Sequence, residues 1–284
     1  MKIVPARSAF VWLLLAVAGL GAPWLGAADQ PKLDPEQAAL LEEARDAALS
    51  YSDSLPNFLC TEYVKRLEDP RGDNRWRPID RLTVRLSYFG HKEDYKLMAV
   101  DGKPTLLEYL YVGGALTTGE FGSRLIALFT PQSKAAFEWK GWTRLRGRRV
   151  AVFRYRIAKE NSSYRIQFGT APVGPNSIVA AYRGEVSVDE KTRRVLRLSA
   201  VAEIPMGFPI RESTSTIEYD FKEVGGREFL LPVSADATTR SGNYKAENQV
   251  EFREYRKFQS DATISFGNPE EKTDEKMKPP AEKK

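Results

Sequence analysis

The stretch "GEVSVDEKTRRVLRLSAVAEI", residues 184–204, alternates apolar and polar side chains, turns through a charged knot, and alternates again. Beyond the turn Leu196, Leu198, Ala200, Ala202 and Ile204 share one face, while Arg197, Ser199, Val201 and Glu203 share the other. Successive side chains leave opposite faces of a pleated strand, so a period of two held this long specifies a half-buried antiparallel strand. The pattern recurs down the chain. It predicts strands over 58–67, 79–89, 93–100, 106–112, 137–145, 148–158, 164–168, 178–188, 195–204, 212–223, 228–238 and 246–258. Asp101-Gly102, Gly225-Gly226 and Gly147 offer the positive φ that tight hairpins need.

That many strands exceed what a flat open sheet tolerates. The expected fold is mainly β with a few helices: a strongly curved antiparallel half-barrel of about 11–12 strands. Its apolar face must be covered, and two or more helices are available to cover it. Asp34, Pro35 and Glu36 start the first one, in which Leu40, Leu41, Ala44, Ala47, Ala48 and Tyr51 form one stripe before Pro56 ends it. The second lies in "TTGEFGSRLIALFTP", with a helix expected over 119–129 and Pro131 breaking it.

Lys2 and Arg7, the apolar run 10–20, and the small residues Gly26 and Ala28 have the form of a signal peptide cleaved after Ala28. The apolar run is too short for a comfortable span, so no stable membrane span is expected after cleavage. Removing the first 28 of 284 residues leaves 256, with 41 basic against 38 acidic side chains. That near balance gives no support to nucleic acid as a partner. Residues 29–265 read as a single domain, and 266–284, "GNPEEKTDEKMKPPAEKK" from Gly267, as a disordered charged tail. The expected location is exported, periplasmic or secreted.

Ordinary catalytic and metal chemistry lacks its residues. His91 is the sole histidine and sits in an expected turn; Cys60 is the sole cysteine, on an apolar strand, and can form no intramolecular disulfide. No phosphate loop, nucleophile elbow or zinc-binding spacing occurs. Glu93 and Asp94 point to opposite faces of a strand, and Glu218 and Asp220 share a polar one. No enzyme, no metal and no cofactor is therefore expected. What abounds is apolar wall. Leu86, Tyr95, Leu97, Phe153, Tyr155, Tyr182, Leu198, Tyr219, Leu231 and Phe252 fall on the inward side of successive strands, and Phe121, Leu125 and Phe129 form the apolar side of the interrupting helix. These are the candidate ligand-binding wall and lid.

The order of elements resembles the half-barrels of the LolA/LolB lipoprotein carriers, a group that also holds the sensor protein RseB. More specifically, "LPNFLCTEY", "GEFGSRLIALF", "RGEVSVDEKTRRVLRL" and "YDFKEVGGREFLLPVSA" resemble a family of exported proteins common in Acidobacteria that carries no known activity. The first resemblance implies a lipid or lipidated protein as partner, or an envelope protein as for RseB. It rests on element order and transfers no residue. Two readings follow. In one, the concave face holds an apolar ligand such as a lipid or lipoprotein acyl chain; about twelve methylenes at roughly 0.8 kcal/mol each would gain on the order of 10 kcal/mol. In the other, the core is dry and the protein is an envelope interaction or sensor module.

Overall fold

The computed structural model describes residues 33–112, 119–167 and 177–258. The expected leader, the charged tail, Gly114 and Phe168 lie outside them. Helix α1 (Pro35–Leu49) starts on a capping box: the Asp34 carboxylate accepts from the Gln37 N–H at 2.9 Å, and the Gln37 side chain accepts from the Asp34 N–H at 3.2 Å. Leu40, Leu41, Ala44 and Ala48 are its buried stripe, and the single turn α2 (Tyr51–Ser54) adds buried Tyr51. A third helix, α3 (Ser123–Phe129), buries Leu125, Leu128 and Phe129.

The strands described are β1 (Phe58–Asp69), β2 (Arg77–Phe89), β3 (Lys92–Val100), β4 (Lys103–Pro104), β5 (Ala136–Leu145), β6 (Arg148–Ile157), β7 (Arg165–Gln167), β8 (Ser177–Val179), β9 (Ala181–Asp189), β10 (Val195–Glu203), β11 (Glu212–Val224), β12 (Arg227–Ser241) and β13 (Tyr244–Lys257). Eleven of them form one antiparallel sheet in the order β4-β3-β2-β1-β13-β12-β11-β10-β9-β6-β5. The first long strand therefore pairs with the last, from Phe58 opposite Lys257 to Asp69 opposite Lys245. The edges β4 and β5 do not meet, so the sheet stays an open half-barrel. Bulges in β13, opposite Leu59/Thr61 of β1, and in β12 at Val233, opposite Glu218/Tyr219 of β11, add local twist.

The opening alternation lands as expected. Leu196, Leu198, Ala200 and Ala202 of β10 are buried, and Arg197 is exposed. The charged knot also has a task. Asp189 caps the turn by accepting from the Thr192 N–H at 3.0 Å, and Arg193 reaches Glu43 of α1 at 3.0 Å. Arg194 donates to the Ala47 carbonyl at 3.2 Å. The β9–β10 turn thus ties α1 onto the sheet. Gly184 at the start of the stretch is required by close approach: a Cβ there would lie 1.9 Å from the Ser199 carbonyl oxygen, under the Tyr155 hydroxyl that donates to it at 2.7 Å.

Three local expectations are corrected. Residues 106–112 form no strand: the sheet ends at two-residue β4, and a 3-10 turn (Tyr109–Tyr111) follows because Tyr109 folds back to stack on Tyr95, ring centroids 5.6 Å apart. The expected strand 178–188 divides at Ala180, whose N–H and C=O bond to Tyr164 and Ser162, so β8 leaves the main sheet to pair with β7. The helix expected over 119–129 starts at Ser123, because Gly122 has φ 118° and cannot be helical.

Candidate functional site

The concave face of the sheet is the site the sequence points to, and the structure brings its parts together. All thirteen candidate wall and lid residues belong to one core: Leu86, Leu97, Phe121, Leu125, Phe129, Phe153, Tyr155, Tyr182, Leu198, Tyr219, Leu231 and Phe252 are buried, with Tyr95 half-buried against them. Phe121 packs between Phe58 and Phe252 at 5.3 and 5.5 Å, and Phe129 stacks on Phe137 at 5.7 Å. The face is packed in this structure. Between α1, α3 and the sheet, a void of about 10 Å³ remains, lined by Ala47, Ala48, Tyr51, Leu125, Arg194, Val195 and Leu230.

What covers the face is an insert of two kinds. Helix α1 is clamped by Arg193 and Arg194. Helix α3 is held by a different device that the spacing of residues did not reveal. Glu93 of β3 points inward, and its carboxylate accepts from the Gly119 N–H at 3.0 Å and the Phe121 N–H at 3.2 Å. The Tyr95 hydroxyl donates to the same carboxylate and lies 3.3 Å from Glu120. Glu93 therefore makes two of the bonds by which the sheet pins the lead-in of α3. Gly122 allows the turn to lie flat on α2; a Cβ there would meet Ser52 Oγ at 2.3 Å and the Tyr51 ring at 3.0 Å.

Beneath this pin lie charges that a permanent core would not choose. Glu62 of β1 is 3 % exposed, its Oε1 has no hydrogen-bond partner, and burial followed by the Glu120 and Glu93 charges drives its carboxyl well above the ordinary glutamate range. Arg124 of α3 has an Nε sealed from solvent with no partner, while its guanidinium donates to Ser215 Oγ at 3.1 Å and lies 5.5 Å from the Tyr164 ring centroid. The neighbouring tyrosines satisfy their hydroxyls on backbone carbonyls: Tyr51 on Leu230 at 2.9 Å and Tyr219 on Glu120 at 3.0 Å. A signal for Glu62 exists in the sequence. In "FLCTEYV" it shares the inward register of Phe58, Cys60 and Val64, so the alternation itself marks a charge on the apolar side.

Elsewhere the chemistry is sparse. Cys60 is buried, and burial pushes its thiol far above the usual range. His91 is exposed in the β2–β3 turn at φ 62°. Among the described residues no group of three or more His, Cys, Asp or Glu is placed to hold a metal, and no helix is long and apolar enough to cross a membrane. The outer-face arginines are mostly paired with glutamates, as in Arg156 and Arg183 with Glu203 at 2.8 and 3.5 Å.

No family model matches the chain. No curated protein matches it either. Among solved structures it is similar to a LolA superfamily protein from Nitrosomonas europaea, with 10% identity and TM-score 0.37 over 78% of this chain and 93% of that one. A DUF1329 family protein from Desulfovibrio piger gives 8% identity and TM-score 0.37, covering 79% of this chain and 94% of that one. The lipoprotein LppX from Mycobacterium tuberculosis gives 8% and 0.27, covering 78% and 96%. At such scores none of them bears on function.

Proposed function

We propose that this is an exported, non-enzymatic carrier that takes an apolar ligand, an acyl chain of a lipid or of a lipidated protein, into the concave face of its sheet when α3 withdraws. One observation carries the reading: α3 fills an apolar cup as an insert pinned through the Glu93 carboxylate, and it brings a sealed, unpartnered polar atom, Arg124 Nε, in over the sealed Glu62 Oε1. Buried polar atoms without partners cost the closed state free energy that water would return on opening. The apolar side favours exchange as well. Withdrawing Phe121, Leu125, Leu128 and Phe129 forfeits roughly 6–12 kcal/mol at about 1.5–3 kcal/mol per side chain, and an acyl chain of about twelve methylenes restores about 10. The ligand replaces the insert in nearly balanced exchange, which suits both uptake and release. The ten wall residues on the strands are, on this reading, the ligand's contacts, and Phe121, Leu125 and Phe129 are the lid it displaces.

The packed interior favours a second reading, an envelope interaction module that works through its outer face or its open edge β5. Titration with a long-chain fluorescent fatty acid separates the two. The carrier reading expects saturation at one probe per protein and faster uptake by Leu125→Asp, with the sheet's circular dichroism retained. Absence of binding, with a urea midpoint in Leu125→Asp lowered as for an unpaired charge in ordinary core, supports the interaction module instead.

A further inference from the structure

Among the described residues Arg124 is a half-buried cation that makes no direct ion pair; the Glu120 carboxylate acts on it at longer range. Arg124 sits on α3, the element that must move, at the border between the apolar cup and the polar start of β11. Among the described residues no carboxylate stands within ion-pair distance of it; its guanidinium donates to the neutral Ser215 hydroxyl at 3.1 Å and is hydrogen-bonded to the Tyr164 hydroxyl. Around it stand Tyr164, Ser213 and Ser215, the two serines both buried and the Tyr164 and Ser213 hydroxyls 3.5 Å apart. Tyr182 closes the ring, 5.0 Å from Tyr164 between centroids, and Tyr155 stands 5.9 Å beyond it. The cluster is rich in donors and poor in anions. A guanidinium presents a planar fork of donors matched to a carboxylate or phosphate, and here that fork is spent on neutral hydroxyls.

Resting on the carrier reading above, we infer that Arg124, with the Tyr164, Ser213 and Ser215 hydroxyls, recognises an anionic oxygen headgroup, carboxylate or phosphate, at the end of the acyl ligand. When α3 withdraws, Arg124 loses Ser215 and the Tyr164 ring together, and the headgroup takes the vacated donors while the chain enters the cup. The electrostatics agree. Burial pushes the Tyr164 phenol up, yet the Arg124 charge and the two serine hydroxyls outweigh it and leave the phenol below its ordinary value. With no carboxylate in direct contact, the arginine draws on the weak acid beside it. A carboxylate or phosphate, ionised already at neutral pH, serves it far better.

The test uses the full secreted protein and two probes, a long-chain fluorescent fatty acid and its methyl ester, in wild type, Arg124→Gln and Arg124→Lys. A charge-assisted contact predicts that wild type prefers the acid over the ester by about ten- to a hundredfold. The ratio should fall close to one in Arg124→Gln and stay intermediate in Arg124→Lys. Urea midpoints confirm that both variants fold. A ratio in folded Arg124→Gln equal to that of wild type overturns the inference and leaves the carrier reading standing, as does a wild type that takes acid and ester alike. Binding of neither probe overturns both. Displacement of the acid by inorganic phosphate alone at low concentration contradicts a headgroup site, because a free anion would then suffice.

Discussion

Replacing Glu93 by alanine removes the pin on α3 and leaves the sheet's apolar contacts in place. The carboxylate accepts from the Gly119 and Phe121 amides and from the Tyr95 hydroxyl, three bonds to a charged acceptor. Such bonds contribute about 1.5–3 kcal/mol each against an unmade bond, but water replaces part of this once α3 lifts. Removing one of three neighbouring carboxylates also relieves repulsion with Glu62 and Glu120. A net loss of about 2–3 kcal/mol from the closed state remains, roughly a thirty- to 150-fold rise in the opening equilibrium. Native-state hydrogen exchange resolves this residue by residue. Amides of Gly119, Phe121, Leu125 and Leu128 should exchange faster by that factor, while amides in β1, β13 and β12 keep their protection. Equal acceleration in the sheet would show that α3 opens only with global unfolding, and unchanged exchange in α3 would show that Glu93 holds nothing. Either result refutes the account of the pin.

Glu62 makes stability depend on pH with a defined sign. Its folded-state carboxyl is raised, through burial first and then the charges of Glu120 and Glu93, so its contribution is full below the ordinary glutamate range and is lost as pH rises through the raised value. The urea midpoint should fall across that window in wild type and fall less in Glu62→Gln; equal slopes contradict the assignment. Gly122→Ala should speed exchange in α3 much as Glu93→Ala does, because φ 118° is strained for alanine and its Cβ would press on Ser52 and Tyr51; unchanged exchange would show that the α2 contact is slack. Cys60 should react slowly with a thiol reagent until denaturant is added, and rapid stoichiometric labelling of the folded protein would place it on the wrong face.

The strands were legible because a period of two survives wherever one face is buried and the other wet. β10, β11 and β1 show it almost residue by residue. The burial of the ten strand residues of the proposed wall was legible for the same reason, since inward register follows from alternation alone, and that of Phe121, Leu125 and Phe129 followed from the apolar side of the interrupting helix. Residues 106–112 misled because "LLEYLYV" alternates acceptably yet has no strand to pair with beyond β4; Leu106 is fully exposed instead. The pin was not legible. Glu93 becomes a latch only because β3 lies beside the lead-in of α3, a contact between residues 26 and 28 positions apart that no local pattern encodes. Arg124 had even less signal, being one arginine on a short amphipathic helix whose neighbours Ser215 and Tyr164 arrive from distant strands and turns. Glu62 stood in plain view as a charge on the apolar register.

Mass spectrometry of the protein purified without detergent, under conditions that keep it folded and with its lipid then extracted, tests the central claim most directly. The account predicts the polypeptide mass plus one acyl-bearing species per molecule, which organic extraction recovers and which incubation with lipid vesicles replenishes in stripped protein. A bare polypeptide mass before and after such incubation, from protein whose urea transition is intact, would contradict it.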